Sequence, residues 1–181
     1  MSHVAEAKLV WDWTSGARDE SSLRYFEQFA EGAEDNQADA VWHVESQVLT
    51  DGSIEVLDLG ALVREVLGDA GYALAFTRIK AIHVIVENTA AGDLIVGAAA
   101  WDPWYRPFGG ATHTVIIPPD SNLMLTNRIE GWAVDTCDGS SSSSSGECGT
   151  QRNLALQASG GDVTYSIAIL GTLTDSSSSG A

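Results

Sequence analysis

The sequence predicts an all-β protein, a jelly-roll or β-sandwich of about eight antiparallel strands with one short helix. Three observations support this prediction. Glycine is frequent (18 residues) and proline is scarce (4 residues). The apolar segments are short and are separated by turns rich in Gly, Asn and Asp. No helical segment separates one predicted strand from the next beyond residue 69, as alternating β–α–β units would require.

The strands begin where apolar and polar residues first alternate. Between Ala40 and Val48 every second residue is mostly apolar, which is the pattern of a half-buried strand. Asp51-Gly52-Ser53 then reads as a turn. The remaining strands are predicted at Ile54–Leu57, Ala73–Glu87, Leu94–Ala100, Thr114–Ile117, Leu123–Thr126, Trp132–Asp135, Leu154–Ala158 and Val163–Leu170.

One helix is predicted at about residues 58–68. Its apolar residues have the i, i+3, i+4, i+7, i+8 spacing of an amphipathic helix; they are Leu59, Leu62, Val63, Val66 and Leu67. Asp58 is suited to cap its first turn and Gly68 to end it.

The chain divides into an N-terminal arm (1–39), a sandwich domain (40–173) and a disordered tail (174–181). The arm is polar and irregular, and we expect it to be mobile or to be ordered only by a neighbouring molecule. Within it, Val10–Trp13 could form a short strand or an anchor of two aromatic residues, and Ser22–Ala30 could form a short helix. A loop at 139–146 contains six consecutive serines and, like the tail, is expected to face solvent.

The net charge of −16, from 25 acidic and 9 basic residues, limits the classes of partner. A field of this sign repels nucleic acid and anionic membranes, and the sequence contains no basic stripe that would override it. No apolar segment reaches the length of a membrane span, and the N-terminus does not resemble a signal peptide. We therefore expect a protein made in a cytoplasm, with no direct contact to nucleic acid or membrane.

Two cysteines, Cys137 and Cys148, flank the serine-rich loop. A disulfide between them would close a loop of ten residues and stabilise the fold by about 2–3 kcal/mol. Two free thiols are the alternative, and the spacing alone leaves both open. Without a neighbouring histidine the pair makes a poor zinc site.

The sequence contains no pattern that predicts catalysis, a metal site or a cofactor. Its four histidines are far apart, and His83 lies in an apolar strand where a structural role is expected. It contains no nucleophile elbow, EF-hand loop or phosphate-binding loop. We expect a protein that is not an enzyme and needs no cofactor.

The most distinctive segment is the aromatic loop, residues 101–108, which contains Trp101, Trp104, Tyr105 and Phe108 together with two prolines. Such rings stack on sugars and also anchor protein interfaces. The alternative is that they close one end of the sandwich. Trp11 and Trp13 form a second aromatic pair in the arm, and all six residues are candidates for an interface or for ligand stacking.

Several strand and turn segments, in order along the chain, resemble a family of small structural proteins of tailed bacteriophages and prophages. The resemblance runs from Asn36 to Gly171, about three-quarters of the chain. The segments are Asn36–His43, Leu57–Leu59, Phe76–Ile82, Leu94–Ala99, Pro118-Pro119 and Val163–Gly171. The resemblance implies a virion component, such as a capsid-decorating, cement-like or tail-associated protein, which forms homo-oligomers and packs against other virion proteins. A carbohydrate-binding module for host attachment, with a glycan as partner, is the alternative function. The segment from Cys137 to Cys148 departs from the family pattern and gains no role from it.

Overall fold

In a computed structural model, the described residues are 3–13, 19–66, 69–134 and 151–173. They contain strands and no helix, which confirms the predicted all-β class for this part of the chain. The strands are β1 (His3–Trp13), β2 (Asp19–Phe29), β3 (Ala40–Leu49), β4 (Ile54–Asp58), β5 (Leu62–Val66), β6 (Asp69–Leu74), β7 (Phe76–Val86), β8 (Asp93–Gly97), β9 (Thr114–Ile117), β10 (Ser121–Thr126), β11 (Trp132–Ala133), β12 (Asn153–Ser159) and β13 (Val163–Leu173).

Two larger antiparallel sheets form the body of the protein. Sheet A has the strand order β10-β7-β13-β3, and the short strand β11 also pairs with β7. Sheet B has the order β4-β12-β8-β9. Strands distant in sequence are therefore neighbours, and antiparallel pairing joins β3 to β13 and β4 to β12.

The two sheets bury their facing side chains in one hydrophobic core. On β13 the alternate residues Val163, Tyr165, Ile167 and Ile169 are at most 2% exposed. On sheet B, alternate residues of β12 such as Leu154 belong to the same core cluster. This alternation of buried and more exposed residues is the burial pattern of a sandwich, and it explains why the period-2 pattern in the sequence identified the strands.

The connections between the strands differ in length at the two ends of the sandwich. One end, the short-turn end, consists of the connections at 50–53, 87–92, 118–120 and 160–162. The other end, the long-loop end, contains the β5–β6 hairpin, the aromatic loop and the connection from β10 to β12. The long-loop end is therefore where the sequence has room for a specialised surface.

The prediction of a helix at 58–68 is wrong. Asp58 ends β4, and its carboxylate accepts a hydrogen bond from Gly60 N at 3.0 Å within a turn, so it caps a turn and not a helix. Leu62–Val66 then pairs with Asp69–Leu74 as strands β5 and β6. Leu59 and Leu62 are buried, as a helical stripe would have required, but they reach the core from a turn and from a strand. A pattern of five apolar residues is compatible with a helix and with a strand. Pairing with β6 stabilises the strand here.

The N-terminal arm is also more regular than the sequence suggested. The strand considered for Val10–Trp13 is present but begins earlier, at His3, as β1. Most of the segment expected to be a short helix lies in β2 instead. The two strands pair continuously, from His3 opposite Phe29 to Trp13 opposite Asp19. The hairpin leads into Phe29, which is fully buried in a small cluster on the outer face of sheet A. Helical spacing at Ser22–Ala30 was too short to decide the structure.

No helix among the described residues is long and apolar enough to span a membrane. The serine-rich loop at 139–146, the tail at 174–181 and the cysteines Cys137 and Cys148 lie outside the described residues.

Candidate contact surfaces

Trp104 is the centre of the aromatic loop and is part of the core. Its side chain is fully buried, and its indole Nε1 donates a hydrogen bond of 2.8 Å to the carbonyl oxygen of Ala133. The rings of Phe108 and Trp132 meet it edge-on, with centroids 6.5 Å and 6.4 Å away. Such edge-to-face pairs add to the stabilisation from burial. Trp104 therefore closes this end of the sandwich, as the alternative interpretation expected, and its ring is not exposed to a partner.

The loop is held to β12 mainly by backbone hydrogen bonds. The amides of Arg152 and Asn153 both donate to the carbonyl oxygen of Asp102, at 3.1 Å and 3.0 Å. Trp104 N donates to Asn153 O at 2.8 Å, and the buried side-chain amide of Asn153 donates to Trp101 O at 3.1 Å. Asp102 has a positive φ of 47°, a conformation that Asp tolerates better than most residues. These bonds fix the backbone on both sides of Trp101.

Trp101 is the exposed aromatic residue of the loop. Its side chain is 63% exposed, whereas Tyr105 and Phe108 are half-buried. The hydroxyl of Tyr105 accepts a hydrogen bond of 3.1 Å from Gln151 Nε2, and Phe108 packs against the core. Of the four aromatic residues predicted to bind a partner, Trp101 is thus the most accessible, and Tyr105 contributes one polar group on the same loop.

The second aromatic pair lies near the turn of the N-terminal hairpin. Trp11 pairs with Ser21 and Trp13 with Asp19, at the end of the hairpin remote from Phe29. In the described residues neither β1 nor β2 pairs with a strand of sheet A or sheet B. The structure therefore keeps the two aromatic segments on separate elements.

At the short-turn end, two aspartates hold neighbouring turns together. Asp51 N donates to the carboxylate of Asp162 at 2.9 Å, and Gly161 N donates to the carboxylate of Asp51 at 3.1 Å. The carbonyl oxygen of Asp162 also accepts from Ala91 N at 2.8 Å. Two adjacent carboxylates, each occupied by a backbone N–H, are a structural arrangement of turns.

His43 and His83 border a shallow depression of about 310 Å³ on the outer face of sheet A. Ala168 lies between them, since it pairs with His43 on β3 and with His83 on β7. Burial lowers the pKa of His83, which favours its neutral form. His43 Nδ1 lies 3.9 Å from a carboxylate oxygen of Glu45. Among the described residues, no three side chains of the His, Cys, Asp and Glu types form a group able to hold a metal ion.

Sequence reasoning missed two buried polar residues. Lys80 is 1% exposed, and its Nζ donates a hydrogen bond of 2.5 Å to Ile129 O. Burial lowers its pKa. The second is Asn153, whose amide fixes Trp101 as described above. Alternation gave a signal for Lys80, which has the parity of the buried residues Ile82 and Val84 and so needs a specific partner. It gave none for Asn153, which has the parity of the outward-facing Gln157.

No family model matches the chain, and no curated protein matches it.

Proposed function

We propose that this chain is a non-enzymatic structural protein of a virion, of the capsid-decorating, cement-like or tail-associated type, which acts by packing against its own copies and against other virion proteins. Its fold in this proposal is a jelly roll. The strand orders of the two sheets support that fold. The chain passes from one sheet to the other at every connection except β8–β9, if the strands are taken in the order β3, β4, β7, β8, β9, β10, β12 and β13. Two interleaved Greek keys have this connectivity.

The observation that carries the packing function is the hairpin β1–β2. It has eleven residues in each strand, and among the described residues its strands pair only with each other. A two-stranded hairpin is marginally stable in water unless another surface packs against it. A neighbouring subunit supplies that surface in this proposal, and the tryptophans Trp11 and Trp13 would become buried in the contact.

The experiment is a measurement of native mass by light scattering at low micromolar concentration. The full chain is expected to form a defined oligomer, a trimer or larger. A variant without residues 1–27 is expected to show a lower mass, because it lacks the hairpin but retains Phe29 and its buried cluster.

The deletion needs a matched control, since a loss of mass could also follow from misfolding. Far-ultraviolet circular dichroism and urea unfolding of the shortened chain should match those of the full chain. A full chain that stays monomeric, or a shortened chain that assembles equally well, would count against this function.

The second candidate function is glycan binding for host attachment, and the exposure of Trp101 favours it. The backbone on both sides of this ring is fixed by hydrogen bonds, and the hydroxyl of Tyr105 lies on the same loop. A rigid exposed indole is a suitable platform for stacking on a sugar ring. A glycan array compares the wild type with Trp101→Ala and with Ile129→Ala, a control residue that is 58% exposed. A blank array, or equal binding by all three proteins, would exclude this function.

A further inference from the structure

The outer face of sheet B carries an uncharged patch that extends across all four of its strands. One row of paired residues consists of Ile54, Gln157, Ile95 and Ile116. The adjacent row consists of Val56, Ala155, Gly97 and Thr114. None of these eight residues is charged, although the chain has a net charge of −16. We call these two rows the neutral patch.

The apolar side chains at the two edges of the neutral patch are exposed, whereas its centre is more enclosed: Ile95 is half-buried, and Ala155 and Gly97 are buried. Ile54 and Ile116, on the two edge strands β4 and β9, are each 59% exposed, and Val56 is 37% exposed. Their neighbours along the same strands point inward; for example, Ile117 is 2% exposed and belongs to the core. The outer face of sheet B therefore carries exposed apolar side chains on both edge strands, and exposed apolar surface of this kind indicates an interaction site.

We propose that the neutral patch is a contact between two copies of this chain, packed sheet against sheet around a two-fold axis. This inference rests on the proposed function, because it identifies one of the packing surfaces that such a protein requires. The charge of the chain favours a second copy as the occupant. Two molecules of charge −16 repel each other, and they approach with least repulsion where neither carries a charge. A basic partner, in contrast, would gain nothing from a surface without carboxylates.

The order of the strands makes the patch complementary to itself. When the two-fold axis is parallel to the strands, β4 of one copy lies over β9 of the other. Ile54 then faces Ile116 of the second copy, and the same contact occurs twice. Sheets packed face to face in this way lie about 10 Å apart, as the two sheets within one molecule do in a sandwich.

The size of the patch sets the expected affinity. Four strands and three residues along each strand measure about 19 Å by 10 Å, or about 190 Å². A stable interface buries about 800 Å² on each partner. The patch alone therefore supports a weak dimer, which becomes strong only when other contacts, such as the hairpin, act in the same assembly.

Sedimentation equilibrium on the full chain tests this contact. The wild type is expected to associate more strongly as its concentration rises and as salt is added, because salt screens the repulsion between the two acidic copies. Ile116→Asp, which places a charge in the contact twice, should weaken association by about tenfold or more. Val63→Asp is the matched control, since Val63 is also on a strand and is 58% exposed but lies outside sheet B.

A charge-exchange variant tests the geometry. Ile54→Lys combined with Ile116→Glu places opposite charges in each facing pair, so it should associate more strongly than either single variant. Unchanged association of Ile116→Asp would overturn the inference while leaving the proposed function intact. Equal weakening by Val63→Asp, or a double variant no better than the single ones, would also overturn it. A wild type that is monomeric at every concentration and salt would count against the inference and the proposed function together.

Discussion

The hydroxyl of Tyr165 donates a hydrogen bond of 2.5 Å to the carboxylate Oε2 of Glu55. Tyr165 belongs to β13 of sheet A and is fully buried, whereas Glu55 belongs to β4 of sheet B. The bond therefore joins the two sheets through the core. Burial, together with the hydrogen bond to Glu55 and its negative charge, raises the pKa of Tyr165 well above the ordinary value for tyrosine.

Tyr165→Phe should lower the free energy of unfolding by about 1–2 kcal/mol at neutral pH, because it removes a hydrogen bond to a charged group. Since the folded pKa of Tyr165 is raised, its contribution is fully present below the unfolded pKa of about 10 and is lost as the pH rises above it. Urea unfolding of both proteins between about pH 8 and pH 11 measures this dependence. The difference between wild type and Tyr165→Phe should be constant at the lower values and decrease at the higher ones. A constant difference throughout would contradict the assigned pKa direction.

Truncation of Trp104 is expected to lower the stability strongly and truncation of Trp101 hardly at all, although the two residues are only three positions apart. Trp104→Ala should cost about 3–5 kcal/mol, because it opens a cavity and leaves Ala133 O without its donor. Trp101→Ala should change stability by less than about 0.5 kcal/mol, because the ring is exposed. Urea unfolding monitored by circular dichroism measures both. Comparable losses would show that the loop is not organised around Trp104.

The strands of the sandwich were largely predictable because alternation encodes which face is buried. The predicted strand Thr114–Ile117 coincides with β9, and the predicted Leu154–Ala158 lies within β12. In each case the apolar residues at alternate positions belong to the core. Period 2 therefore located the strands without knowledge of the partner strand, although it did not mark the apolar Ile116, which is 59% exposed, as outward-facing.

The β5–β6 hairpin was not predictable in the same way. Leu59 and Leu62 have the separation of one helical turn, and both are buried. The choice between helix and strand depended on whether Asp69–Leu74 was available to pair with Leu62–Val66, which is a tertiary property.

The contact surfaces were only partly predictable for a similar reason. The composition of the aromatic loop predicted a contact surface there, but it could not predict that Trp104 is buried and Trp101 exposed. That distinction depends on hydrogen bonds from β12, a strand about fifty residues further along the chain. The neutral patch was not predicted at all, because Ile54 and Ile116 fall in one row, at its two ends, only through the pairing of four strands.

The paired turns at Asp51 and Asp162 should depend on the carboxylate oxygens as acceptors rather than on their charge. Asp51→Ala and Asp162→Ala should each lower the free energy of unfolding by about 1 kcal/mol, because each leaves a backbone N–H without its partner. Asp51→Asn and Asp162→Asn keep an acceptor oxygen and reduce the repulsion between the two side chains, so they should cost less than about 0.5 kcal/mol. Thermal unfolding of the four variants measures this. Asparagine variants as unstable as the alanine variants would point to a requirement for the negative charge.

Gly171 on β13 should be far less tolerant of substitution than Gly160 in the turn after β12. A Cβ atom at Gly171 would overlap the carbonyl oxygen of Arg78 and would lie 2.8 Å from Cδ1 of Phe76, at a point where the pairing register with β7 shifts. A Cβ at Gly160 meets nothing within 4 Å, so alanine there costs only the strain of a positive φ of 83°, about 1 kcal/mol. Gly171→Ala should cost about 3 kcal/mol or more, because the neighbouring strand must move to relieve the overlap. The urea midpoints of the two variants compare these losses of stability directly. If Gly171→Ala is as stable as Gly160→Ala, β7 and β13 move apart more easily than their close pairing implies.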